Sequence, residues 1–257
     1  MEIIIFFIAQ WYLSFFSQSF FDHRYASHRA FTMNKFWERF FYIFAFITQG
    51  ATYMSPRAYA VMHRMHHAYT DTDKDPHSPD YSPNLFAMMW RTRQIYTDVY
   101  YERYDVEARF LKNVPDWKWF DKWADSRFVK ILWVGAYVAF YVYFATTPWL
   151  YLLLPFTILM EPTHGVIVNW YGHKIGYRNY DLNNKSRNLV PVDLFLLGEA
   201  YHNDHHRFPS AIKFGVKWYE IDIVHWLILL FSKLGIVRLA KKRNTSEDVM
   251  ESMEMEY

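Results

Sequence analysis

The sequence predicts an all-α integral membrane protein with about three transmembrane helices, further helices lying in or dipping into the interface, and a polar helical cap. Three observations carry this reading. Long apolar stretches recur along 257 residues, 52% of which are hydrophobic. Aromatic residues make up 21% of the chain, and Trp and Tyr favour the membrane–water boundary. The twelve histidines, in a chain with no cysteine, gather in polar segments next to the apolar ones.

The apolar stretches come in order. Ile3–Phe21 has the length and composition of a span, about 20 mostly apolar residues. It lacks the basic start and small-residue cleavage site of a signal peptide. Phe36–Met54 is interrupted by Glu38, Arg39, Gln49 and Gly50. Phe128–Ala145 again suits a span. Pro148–Trp170 suits one too, although it carries Glu161, Pro162 and His164, and polar groups within a membrane usually face a protein interior. Ile221–Val237, broken by Asp222, His225 and Lys233, reads as an interfacial helix. Between these lie a Pro/Asp-rich loop (69–83), a charged aromatic segment (90–127) and a polar loop (174–188). Residues 1–240 read as one membrane domain, and 241–257, basic and then acidic and Met-rich, as a disordered tail.

Composition excludes several chemistries. Without cysteine there are no disulfides, thiolate metal sites or cysteine nucleophiles. A formal net charge of +2 gives no reason to expect a nucleic-acid partner.

The histidines supply the positive signal. They form three boxes: His23 and His28 in HRYASH; His63, His66 and His67 in HRMHH; His202, His205 and His206 in HNDHH. Positions i, i+3 and i+4 share a helix face, so each HxxHH run turns three imidazoles one way. Eight imidazoles exceed one metal's needs and suit two metals with four or five each. Imidazole ligates iron, zinc, copper and nickel alike, so the ligands leave the metal open. Asp22, Glu199 and Asp204 are the acids close enough in sequence to orient the imidazoles. His77, His164 and His225 stand outside the boxes and read as satisfied polar residues.

Topology tests this grouping. Boxes that share a site must lie on one side of the membrane. Only 34 residues separate His28 from His63, too few for two crossings. Phe36–Met54 is therefore expected to lie in the interface or dip and return. The last two spans, turning at Thr146–Pro148, bring the chain back to the side it left. Asp22–Arg127 carries fifteen Lys and Arg whereas the hairpin turn carries none. The positive-inside rule then places the cap, with its two-metal site, in the cytoplasm.

At these boxes the chain resembles the membrane fatty acid desaturases, in particular the acyl-CoA (stearoyl-type, delta-9) branch and its bacterial members. The likeness continues through NWYGH (169–173), GYRNY (176–180) and GEAYHNDHH (198–206). The resemblance implies two iron ions, dioxygen as co-substrate and the insertion of a cis double bond into a saturated acyl chain carried on CoA or lipid. It adds His173 as a ninth iron ligand and Asn169 as a ligand through water. Animal members carry Gln and Trp ten and four residues before the second box. Here Tyr53 and Tyr59 stand there, with Gln49 one turn earlier, and these three are the substrate-binding candidates. Animal members also have a span more before the first box. A His-Pro-Gly-Gly heme motif is absent, so electrons are expected from a separate donor, such as a ferredoxin or a cytochrome b5-like protein with a reductase. The implied location is the bacterial inner membrane. A lipid or acyl hydroxylase on the same scaffold, and a non-enzymatic membrane metal-binding protein, are the competing readings.

Overall fold

A computed structural model describes residues 1–239; the tail expected over 241–257 lies outside the described residues. The chain opens with α1 (Glu2–Ser17), which runs without a break into a π-helical segment, Gln18–Ser27. Together they make one 26-residue helix long and apolar enough to cross a membrane. After β1 (Phe31–Met33), Asn34 caps α2 (Lys35–Gln49) by accepting from the Trp37 amide at 3.0 Å. Gly50 ends α2 at φ +55°, and a Cβ there would lie 1.8 Å from the Tyr137 hydroxyl. Only glycine fits both the turn and the approach of the later span.

Ser55 caps α3 (Pro56–Tyr69), with proline at its first position. The Pro/Asp-rich loop leads to α4 (Leu85–Tyr100), capped by Asn84, and then to α5 (Lys118–Ala124). Ser126 caps α6 (Arg127–Phe144), the second helix that qualifies as a span.

The fourth apolar stretch is not a straight helix. A 3-10 turn (Pro148–Leu153) and α7 (Leu154–Ile158) form one arm. The other arm is α8 (Met160–Gly165), continued by π-helical Val166–Trp170 and a 3-10 turn to His173. The arms meet at 78°. Pro155 and Pro162, each lacking an amide hydrogen, flank the break at Leu159. Counting the bent pair as one span gives three crossings, and two without it.

The remaining helices are α9 (His202–Arg207) and α10 (Ile223–Lys233); α10 is apolar, too short to cross, and capped by Asp222. β2 (Val237–Leu239) closes on β1 as an antiparallel pair, Thr32 facing Arg238. The helix α2, at 15 residues, is also not among those long enough to cross.

Aromatic packing fastens the cap to the spans. Phe15, Phe20, Phe21, Phe31, Phe41, Tyr42, Val224 and Ile228 are buried in one cluster shared by α1, α2, β1 and α10. Truncating such a ring to alanine costs about 3–5 kcal/mol. This core holds the π-helical end of the first span rigid, next to the histidines it carries.

Candidate metal centre

Helix geometry brings the histidines together. The amide of His28 donates to the His23 carbonyl at 3.2 Å, the i+5 pattern of a π-helix. An α-helix would turn residues five apart away from each other. The π-helical end of the first span therefore puts both imidazoles of HRYASH on one side, and their ring centres lie 5.1 Å apart.

Nine histidines converge in two groups. His23, His28, His63, His67 and His205 form one; His66, His173, His202 and His206 form the other. Within each group one nitrogen from every ring lies within 4.8 Å of all the others. Neither HxxHH box serves one group alone. In α3 the i, i+4 pair His63/His67 faces the first group while His66 faces the second. In α9 the pair His202/His206 faces the second while His205 crosses to the first. The i+3 residue of each box thus ties the two groups together.

The donor chemistry fits a cation. Nε2 of His23 and of His67 each lie 2.9 Å from Nε2 of His205. Nε2 of His28 lies 2.8 Å from Nε2 of His63, and Nε2 of His173 lies 3.0 Å from Nε2 of His202. Three rings have their other nitrogen engaged by a carboxylate. His23 Nδ1 is 2.7 Å from Glu199, His66 Nδ1 is 2.9 Å from Asp75, and His173 Nδ1 is 3.1 Å from Asp71. A carboxylate accepts, so each Nδ1 carries the hydrogen and each Nε2 turns a bare lone pair inward. Nε2 lone pairs of three rings, aimed among the nitrogens of six more imidazoles, suit a metal ion in each group.

Electrostatics favours the neutral form of five of the rings. Burial, and then the neighbouring imidazoles, push His63, His67, His202, His205 and His206 well below the ordinary imidazole range. Burial would raise Asp75 and Glu199. The facing imidazoles His66 and His23 outweigh it, aided at Glu199 by Arg24, and hold both carboxyls ionised.

The acids expected nearby sort differently. Glu199 orients His23 as anticipated. Asp22 instead accepts from Gln49 Nε2 at 2.7 Å, and Asp204 accepts from Asn179 at 2.9 Å. Neither holds an imidazole. Asp71 and Asp75 do, from the loop after α3, which is rich in Pro and Asp because it folds back under the site. Asp71 also accepts from the Lys185 amide at 2.7 Å, pinning the 174–188 loop there. Arg24, inside the first box, is fully buried between Glu199 and Asp222, 3.3 and 2.8 Å away, and lies over the Phe214 ring. Its single positive charge is shared between the two acids.

Of the substrate candidates, Tyr59 stacks on His63 at 5.8 Å, nearly parallel, and its hydroxyl meets Gln18. Gln49 reaches the site only through Asp22. Tyr53 points away and donates to Asp121 at 2.6 Å. Asn169 sits on the π-helical segment four residues before His173. His77 and His164 are not the satisfied residues expected: both are buried with neither nitrogen hydrogen-bonded. His77 packs at a tilt against His66 with ring centres 4.2 Å apart, and burial lowers it to about 3. His225 lies half-buried in α10, away from both groups.

Comparison with known proteins agrees with this geometry. A family model described as fatty acid desaturase matches residues 3–236. Delta-9 desaturase-like 5 protein of Arabidopsis thaliana is 34% identical over 223 residues, covering 83% of this chain and 68% of the relative. The sn-2 palmitoyl-lipid 9-desaturase of Nostoc sp. (strain 36) is 32% identical, covering 84% of this chain and 73% of the relative. Delta-9 acyl-lipid desaturase 1 of Arabidopsis thaliana is 28% identical, covering 88% and 70%.

Proposed function

Since the chain belongs to the fatty acid desaturase family and is an oxidoreductase of that kind, we propose that its two histidine groups hold two iron ions, and that it uses dioxygen to place a cis double bond in a saturated acyl chain. The observation that carries this is the convergence of nine imidazoles in a group of five and a group of four. Two irons bound there would supply an oxidant strong enough to break an unactivated C–H bond. The protein's own part is to hold, orient and exclude.

His23, His28, His63, His67 and His205 would hold one iron; His66, His173, His202 and His206 would hold the other, with Asn169 contributing through water. Glu199, Asp75 and Asp71 fix three rings in the tautomer that offers Nε2, and such partners are worth roughly 10–100-fold in metal affinity. Neutral imidazoles bind without adding negative charge to a buried site. Tyr59, stacked on His63, and Gln49 are the groups of this chain set to border the acyl chain; Tyr53 stands further off. Removing two hydrogens from the chain while reducing dioxygen to two waters takes two electrons and two protons besides. The electrons come from a separate carrier such as a ferredoxin or cytochrome b5-like protein.

Of the two carriers left open, CoA and lipid, the relatives named for acyl-lipid substrates support an acyl chain carried on lipid, with the double bond at the ninth carbon. The site would face the cytoplasm of a bacterial inner membrane. Expression in a desaturase-deficient bacterium, with fatty acids profiled by mass spectrometry, tests the reading. Loss of two hydrogens from a saturated chain is expected. A gain of one oxygen would establish the hydroxylase instead, and an unchanged profile with iron bound would remove the desaturase assignment.

A further inference from the structure

A polar stripe runs down the first span on residues the metal centre does not use. Gln10, Ser14, Gln18 and Asp22 recur at intervals of four, so they stack on one face of the helix. All four are at least nine-tenths buried. Asp22 adjoins His23, so the stripe begins beside the metal centre and descends into the membrane-spanning part of the chain.

The facing arm of the bent span adds Glu161 and His164, 3% and 0% exposed. Ser14 donates to Glu161, and the Glu161 amide donates to Thr52 at 3.3 Å. Gln10 Nε2 donates to the Tyr137 hydroxyl at 3.0 Å and to the Thr157 carbonyl at 3.2 Å. Those contacts leave one side of the cluster unsatisfied. Gln10 Oε1, Gln18 Oε1, Glu161 Oε2 and both nitrogens of His164 have no hydrogen-bond partner. His164 Nδ1 stands 3.8 Å from Glu161 Oε1, too far for a direct hydrogen bond and suited to a bridging oxygen. The His164 ring is held between Trp11 and Phe15, 4.7 and 4.1 Å away.

Each such group left unpaired away from water costs about 1–3 kcal/mol. Five in one cluster is more than a fold retains without use, and ionisable residues inside a span mark functional sites. The unsatisfied set is mixed. Carboxylate and amide oxygens accept, while a neutral imidazole offers one donor and one acceptor. A hydroxyl group matches it, donating to Glu161 or a glutamine and accepting from His164. A purely apolar chain or a bare anion does not.

We propose that Gln10, Gln18, Glu161 and His164 form a hydroxyl-binding chamber within the membrane-spanning helices, distinct from the metal centre. Two sources provide the same chemistry: water, or a hydroxyl borne on an acyl chain. The chamber's existence does not depend on the desaturase reading, whereas its use by an acyl chain does.

X-ray hydroxyl-radical labelling of the metal-loaded protein in lipid nanodiscs, in H2 18O, tests the chamber directly. Met160, buried next to Glu161, should be labelled several-fold faster than Met65, which is also buried but lies in an apolar cluster. Glu161→Gln should keep the labelling and Glu161→Leu should lose it, with metal content equal in both. A second arm compares binding of a long-chain hydroxy fatty acid with its unsubstituted parent. Labelling with equal binding identifies water as the occupant. Preference for the hydroxylated chain, lost in Glu161→Leu, identifies the acyl hydroxyl. Labelling at Met160 no faster than at Met65, together with equal binding, overturns the proposal. That outcome leaves iron content and desaturation untouched, so it is distinct from failure of the desaturase reading.

Discussion

At the residue scale, a histidine is separated from its neighbours by what its second nitrogen touches. Glu199 and Asp75 sit on Nδ1 of His23 and His66, whereas His225 reaches neither group. Substituting His63 or His202 by alanine is expected to abolish product and lower bound iron, because each removes a lone pair from a group of five or four. His225→Ala should keep both near the wild-type level. Full activity in His63→Ala would overturn the assignment, and full activity in His173→Ala would strike the ninth ligand alone. Asp75→Asn and Glu199→Gln should retain the fold while weakening iron binding roughly 10–100-fold, read by chelator competition. Unchanged affinity would reduce these acids to packing. Eight of the histidines were legible from the spacing of their boxes, and His173 only from the family resemblance. Asp71 and Asp75 were not, because sequence proximity nominates Asp22 and Asp204, and only the return of the loop after α3 brings the other acids under the rings.

Elements carry the next level, and here the sequence was least transparent where a helix departs from the α form. HxxHH spacing maps onto an α-helix and could be read at once. HxxxxH does not, and its two imidazoles meet only because Gln18–Ser27 is π-helical. The fourth apolar stretch likewise gave its length but not its 78° break. The short helix α5 shows how an interfacial element is fastened. Its Asp121 accepts from Tyr53 at 2.6 Å and from Ser55 at 2.7 Å, tying α5 to the start of α3. Burial pushes Asp121 from 3.8 up to about 6, the two donors pulling the other way. A carboxyl raised in the folded state stabilises the fold fully only below its unfolded value near 3.8. That contribution is lost as pH rises through about 6. Two units correspond to about 3 kcal/mol. Relative to Asp121→Asn, which carries no such charge, the wild-type apparent Tm in detergent should fall between pH 4 and pH 7 by several degrees. A difference that stays flat across that window would show the carboxyl is not held protonated.

For the whole molecule, the histidine groups impose a condition on how the chain threads the membrane. Ligands come from the end of the first span, from α3, from the end of the bent arm at His173 and from α9. All four must emerge on one side. The first span, the helix Arg127–Phe144 and the bent pair make this possible, provided α2 stays out of the bilayer core. At 15 residues α2 is about 22 Å long, short of the roughly 30 Å of hydrocarbon. It also exposes Phe36, Phe40, Ile43 and Ile47, as a helix lying on lipid would. Reporters inserted after Met54 and in the 174–188 loop are therefore expected on one side of the membrane, and a reporter in the Thr146–Thr147 turn on the other. The same arrangement fixes a stoichiometry: a closed group of five and a closed group of four should take up two irons per chain in protein purified from iron-replete cells. One tightly bound iron per chain would break the two-group assignment even with the topology intact. Reporters on opposite sides at Met54 and in the 174–188 loop would break both at once, because no threading that separates α3 from His173 can bring His66 and His173 into the same group.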